Sequence, residues 1–210
     1  LIKYIDQNYQ SINMIKPHDY LIERRVNRFI QETKLVINYL ESPMFITDKK
    51  IVEEFQKNTK KPLMGRFYEN QRLSQKILIN DDSSPIGGKW SFDELNRKKI
   101  PKNIKVPNLK KISKNKNVIE AEKFILKSDI KFLGSSLNFF YPTTFQEARL
   151  WLNDFFEKKF SLFGDYEDAI CKKDSFLWHS LLSALLNVGL LTPKEIIDKA
   201  IIYSQKNRVP

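Results

Sequence analysis

Apolar residues recur at helical spacing through much of this chain. Residues 1–15 mix apolar and polar positions as a helix does, and Pro17 ends the run, because proline disfavours a helical residue before it. Over 19–32, Leu21, Ile22, Val26, Phe29 and Ile30 mark one face, with Glu23, Arg24, Arg25 and Arg28 on the other. The β-branched run KLVINYL at 34–40 breaks that period and predicts a strand. A helix leading into a strand is the closing part of an α/β unit. A further helix is expected over 48–56, with Asp48 near its start and Ile51, Val52 and Phe55 inward. After Lys61-Pro62, Met64, Phe67, Tyr68, Leu73 and Ile77 fall on another helical stripe.

The pattern lapses over 80–97, where Asp, Ser, Pro and a glycine pair predict a loop pinned to the body by Trp90 and Phe92. Gly87-Gly88-Lys89 is not a phosphate loop: GxxxxGK[ST] and its strand–loop–helix frame are both absent. Residues 98–117 carry eight lysines, Pro101, Pro107 and no acid, which reads as an extended, solvated linker.

Helical periodicity returns after the linker. A short amphipathic helix is expected over 118–128 and a loop over 134–144. Thr144 with Glu147 forms a capping box that opens a helix over 145–159. Its inward face is Phe145, Ala148, Leu152, Phe155 and Phe156; Arg149, Asp154 and Glu157 lie outside. Asp174-Ser175 and His179-Ser180 each offer a helix start ahead of LLSALLNVGLL, and Gly189 suits the left-handed end of that helix. Thr192-Pro193-Lys194-Glu195 opens a last helix to residue 205, with Ile196, Ile197, Ala200 and Ile201 inward.

Composition sharpens this mainly helical picture. With 41% hydrophobic residues among 210, the chain can build a sizeable core. It starts at Leu1 inside an apolar segment and stops at Pro210, so it reads as an internal piece of a longer protein. The net charge of +11 favours polyanionic partners, nucleic acid first, although a lysine-rich composition alone produces basic proteins of every function. A single cysteine, Cys171, allows no disulfide within the chain and fits a reducing cytoplasm. It also allows neither a CxxC zinc site nor a complete set of iron–sulfur ligands. The densest apolar run, 181–191, is broken by Ser183, Asn187 and Gly189, so no membrane span is expected.

Candidate chemistry is sparse. Two histidines give poor support to a nucleophile relay, and Ser180 beside His179 is too close in sequence to assemble a triad. The pairs Glu167-Asp168 and Asp81-Asp82 are adjacent residues, so no hydrolase is indicated. Backbone N–H groups at a helix start can hold a phosphate with help from a hydroxyl, and His179, Ser180, Leu181, Leu182 and Ser183 form such a stretch. Trp90, Trp151 and Trp178 are scattered widely enough to read as packing residues.

Two strings carry a specific resemblance. One is PIGGKWSFDELNR, with Pro85, Gly87, Gly88, Lys89, Trp90, Phe92, Asp93, Glu94, Asn96 and Arg97; the other is FGDYEDA followed by HSLLSALLNVGLLTP. Weaker matches are Met64, Phe67-Tyr68, Arg72 and the 145–159 helix. The chain resembles the deoxyribodipyrimidine photolyase-related group, bacterial iron–sulfur photolyases and cryptochromes. Ala184 departs from the group's usual proline after Ser183, a change a helix tolerates.

The resemblance implies a mainly α chain in three parts. Residues 1–80 would be the tail of a Rossmann-like α/β antenna domain, 81–117 an interdomain linker, and 118–210 the start of an all-helical FAD-binding domain. It implies Tyr166, His179, Ser180, Leu181, Leu182 and Ser183 at the flavin, and a lumazine-type antenna chromophore and a 4Fe-4S cluster elsewhere in the full-length protein. The implied activity is blue-light splitting of pyrimidine photolesions in DNA by reduced FAD, in a cytoplasmic monomer, with this piece inactive alone. Two other readings stand beside it: a cryptochrome-like photoreceptor without repair activity, and a basic helical nucleic-acid-binding module without flavin.

Overall fold

The computed structural model describes residues 9–131 and 133–209. Among them are two strands and eight α-helices: β1 (Ser11–Ile15), α1 (Tyr20–Thr33), β2 (Val36–Leu40), α2 (Lys49–Asn58), α3 (Met64–Gln75), α4 (Lys116–Leu126), α5 (Phe145–Lys158), α6 (Phe160–Tyr166), α7 (Ser183–Asn187) and α8 (Pro193–Asn207). The chain is therefore mainly helical, with one small parallel sheet.

The sheet corrects the first expectation. Residues 11–15 form a strand, not the end of a helix; residues 1–8 of that expected helix lie outside the described residues. SINMI alternates exposed and half-buried positions and pairs in parallel with β2, from Ser11 opposite Val36 to Ile15 opposite Leu40. The ladder bonds and two β-branched residues outweigh a weak helical period. Asn38 Nδ2 donates to Asn13 Oδ1 at 3.0 Å across the pair. Helix α1 is the crossover between the strands. Asp19 caps it at the Ile22 N–H, and its C-terminal half buries Val26, Phe29 and Ile30 in part, while Leu21 and Ile22 stay exposed.

Helices α2 and α3 meet through Phe55 and Phe67, edge to face at 5.1 Å. Asp48 caps α2 as expected. On α3 the expected apolar stripe is not the buried one: Met64, Tyr68 and Leu73 are exposed, and the buried residue is Arg72.

Two buried clusters lie in the second half. The larger joins Ala148, Trp151, Leu152, Phe155 and Phe156 of α5 to Leu182, Leu185 and Leu191. The smaller is Tyr166, Ala169, Leu177 and Trp178. The Thr144–Glu147 capping box and the Thr192 cap with Pro193 in the first turn both form as read. Two positions on α5 differ: Phe145 is exposed and Asp154 is buried. A buried carboxylate needs cations, and Lys158 bonds to it while Lys110 lies 3.9 Å away.

The segment expected as a solvated linker is a packed strap. Its lysines Lys99, Lys102, Lys105 and Lys111 are exposed. Between them, Ile100, Ile104 and Val106 pack on the smaller cluster, and Leu109 and Ile112 on the larger. The composition gave its lysines, but apolar residues spaced every two to four positions give its structure.

Candidate functional site

Three features surround the strings singled out in the sequence. The first is the seat of Arg72. Its side chain is 6% exposed, and its guanidinium donates to the carbonyls of Ile77 (3.2 Å), Leu78 (2.6 Å) and Trp90 (3.0 Å). The same group lies over the rings of Trp90 (5.3 Å) and Tyr68 (5.7 Å). Five fixed donors suit this arrangement as an ammonium would not. Trp90 is thus anchored, whereas Phe92 is largely exposed and touches Gly87. Gly87 has φ +85, and a Cβ there would meet the Phe92 ring at 3.0 Å.

The second feature joins the two strings. Asn96 Nδ2 donates to Glu167 Oε2 at 2.9 Å, and the Asp168 N–H to Asn96 O at 3.0 Å. The Lys98 N–H donates to Asp165 O at 3.0 Å. Outside this, Arg97 pairs with Asp168 (3.3 Å) and Lys98 with Asp165 (2.7 Å). Asn96 is 9% exposed, and its Oδ1 has no donor among the described residues.

The third feature is the turn over 174–183. Asp174 Oδ1 accepts from the amides of Phe176 (3.0 Å) and Leu177 (3.3 Å), so it caps as expected, but no helix follows it. The helix expected from His179-Ser180 begins only at Ser183 and lasts five residues. The backbone explains this. Leu177 (φ 38) and Leu181 (φ 56) are left-handed, which interrupts any helix and costs roughly 1–3 kcal/mol each. Gly189 (φ 74) closes α7 as read. Among the described residues, the N–H groups of Ser180, Leu181, Leu182, Ser183 and Ala184 have no acceptor.

The predicted site residues are distributed unevenly around this turn. His179 and Ser180 are half-buried, Ser183 is exposed, and Leu181 and Leu182 pack into the larger cluster. Tyr166 is 5% exposed and packs against Trp178, with ring centroids 4.8 Å apart and ring planes tilted by 38°. It is a core residue beneath the turn rather than a member of it. Cys171 is half-buried against the same small cluster.

One residue escaped the sequence reading. Lys159 lies between α5 and α6, 5% exposed, and its Nζ donates to His179 O at 3.1 Å. It lines a narrow cleft with Lys110, Trp151, Asp154, Ser180 and Leu181. Burial lowers its pKa below the ordinary 10.5, against an upward pull from Asp154 and Asp174. The signal was in the spacing: 152, 155, 156 and 159 share one helical face, and a lysine on a face of Leu and Phe is out of place.

Among the described residues no group of three or more His, Cys, Asp or Glu could hold a metal ion, and no helix is long and apolar enough to cross a membrane.

Known proteins share parts of this sequence. A (6-4) photolyase of Agrobacterium fabrum (strain C58 / ATCC 33970) is 24% identical over 195 residues, covering 93% of this chain and 38% of that protein. An alignment that long necessarily takes in residues 163–193. Uncharacterized protein R852 of Acanthamoeba polyphaga mimivirus is 37% identical over 110 residues, covering 50% of this chain and 56% of that protein. Uncharacterized protein R853 of the same virus is 53% identical over 43 residues, covering 20% of this chain and 33% of that protein. The chain thus spans about half the length of the first mimivirus relative and under two fifths of the photolyase. The family model described as deoxyribodipyrimidine photo-lyase-related protein matches residues 1–141, two thirds of the sequence. With the 85–97 string inside that span, the chain belongs to the deoxyribodipyrimidine photo-lyase-related protein family.

Proposed function

We propose that this chain is the middle of a flavin-dependent, photolyase-like protein acting on pyrimidine photolesions in DNA. In this reading residues 1–80 end an antenna domain, 81–117 cross between domains, and 118–210 begin the FAD-binding domain. The turn over 179–183 receives the FAD pyrophosphate.

The observation that carries the reading is the donor set of that turn. Five successive amides, Ser180 to Ala184, lack acceptors among the described residues, and the hydroxyls of Ser180 and Ser183 stand beside them. Such a set fits a pyrophosphate, which offers only acceptor oxygens. Lys159 adds positive charge behind the turn. Tyr166 and Trp178 support the turn from within the core, so their part is to hold its shape.

Bound FAD supplies the light absorption and electron donation that amino-acid side chains lack. This chain's own residues bind and orient: the amides hold phosphate oxygens, and Leu181 and Leu182 exclude water from the turn's inner side. The net charge of +11 suits a DNA partner. The antenna chromophore and the iron–sulfur cluster belong, in this reading, to parts of the protein beyond these residues.

The test is the visible absorption spectrum of the full-length protein purified without oxygen. Flavin bands are expected, and lesion loss under blue light is then the next assay. A folded, colourless protein that takes up no added FAD overturns the flavin reading and leaves a basic helical nucleic-acid-binding domain.

A further inference from the structure

We propose that Lys159 is a positioning residue for the phosphate-holding turn, setting the direction of the Ser180 amide through its bond to the His179 carbonyl. The inference rests on the flavin reading above.

Lys159 is fixed at its base and spent at its tip. Its backbone N–H closes α5 on Phe155 O at 2.9 Å, and its side chain crosses the core to His179 O at 3.1 Å. That carbonyl is the one hydrogen-bond acceptor for the ammonium among the described residues. The nearby carboxylates are engaged elsewhere. Asp154 is shared between Lys158 and Lys110, and Asp174 holds the amides of Phe176 and Leu177. A buried cation with so little neutralisation is a poor stabiliser, and an apolar side chain of similar volume would fill the space at lower cost. Core filling therefore does not account for a lysine here.

Peptide geometry supplies the account. In a planar trans peptide the C=O and the following N–H point in opposite directions, and the described chain contains no cis bond. An ammonium that holds His179 O on the core side turns the Ser180 N–H to the opposite side. The next residue, Leu181, then enters the left-handed region at φ 56. A lone leucine does not hold that conformation without support from its neighbours. Lys159 on one side and the packing of Leu181 and Leu182 on the other provide that support. Lys159 thus shapes the donor set without touching the anion.

The experiment is a titration of the full-length apoprotein with FAD and, separately, with riboflavin, which lacks the pyrophosphate. The variants are Lys159→Met and Lys159→Arg. Loss of one charge-assisted bond predicts about tenfold or more weaker FAD binding in K159M. Riboflavin binding should be unchanged, and K159R, which keeps a donor, should recover FAD affinity. Unaltered FAD affinity in K159M overturns the inference and leaves the flavin reading intact. Equal loss for FAD and riboflavin also overturns it, because it assigns Lys159 to general stability. If K159M does not fold, K159R decides: near-native FAD affinity supports the inference, and parallel loss of both ligands overturns it. A wild-type protein that binds neither flavin overturns this inference together with the reading beneath it.

Discussion

Asn96 and Glu167 are 71 residues apart in sequence and joined by a 2.9 Å hydrogen bond that only the folded chain creates. The bond is the inner rung of a clasp between the two strings singled out in the sequence. Backbone bonds from Asp168 to Asn96 and from Lys98 to Asp165 flank it, and two exposed ion pairs form the outside. Removing the inner acceptor leaves a buried amide unpaired. Glu167→Ala is expected to cost about 1–3 kcal/mol. Arg97→Ala, which breaks only a screened surface pair, should cost under about 1 kcal/mol. Urea denaturation of the two variants checks this; equal losses would move the weight of the clasp to its rim.

Arg72 gives a sharper contrast between two cations. Lysine carries the same charge but cannot reach three carbonyls in one plane or stack between Tyr68 and Trp90. Arg72→Lys should destabilise by about 2–4 kcal/mol, nearly as much as Arg72→Ala, because both strand buried carbonyls. Thermal unfolding of the pair is the measurement, and a stable R72K would mean that charge alone suffices.

At Gly87 conformation and space act together. Gly87→Ala meets a left-handed backbone and the Phe92 ring, with an expected loss of about 1–2 kcal/mol from the backbone and a further loss from the ring contact. Phe92→Ala removes the contact but not the backbone cost. The G87A loss should therefore shrink, without vanishing, in an F92A background. A double-mutant cycle reads that coupling.

Burial of Lys159 makes stability depend on alkaline pH. Its folded pKa lies below the 10.5 of an exposed lysine, so between those values the unfolded chain binds more protons. Stability contributed by this group therefore rises with pH across that window. The cost of burying the charged form is fully present below the folded pKa and is gone above 10.5. Thermal midpoints of wild type and K159M, followed from neutral pH to 10.5, should show the wild type gaining on the variant. A constant difference would mean that the lysine titrates as an exposed one.

What the sequence made legible was local. Asp48, the Thr144–Glu147 box and Thr192-Pro193 mark helix starts that the structure keeps, because a cap needs only its own next three residues. What depended on distant partners was not legible. Residues 11–15 are a strand because β2 lies beside them, and Arg72 is buried because a loop wraps it. The helix read from His179 starts four residues late because Leu181 is left-handed. Ser180 was singled out as a phosphate donor, but the lysine holding its peptide from behind lies 21 residues earlier, in another helix face.

The strap over 98–115 belongs to the packing of the second half. Five of its apolar side chains are shared out, three to one cluster and two to the other, under a line of exposed lysines. A cut placed there would strip the cover from both clusters, which lie on the same side of it. The clusters share one fastening and should melt together in a single step, so the lysine-rich stretch that looks most dispensable is the one that makes the second half of the chain a single cooperative body.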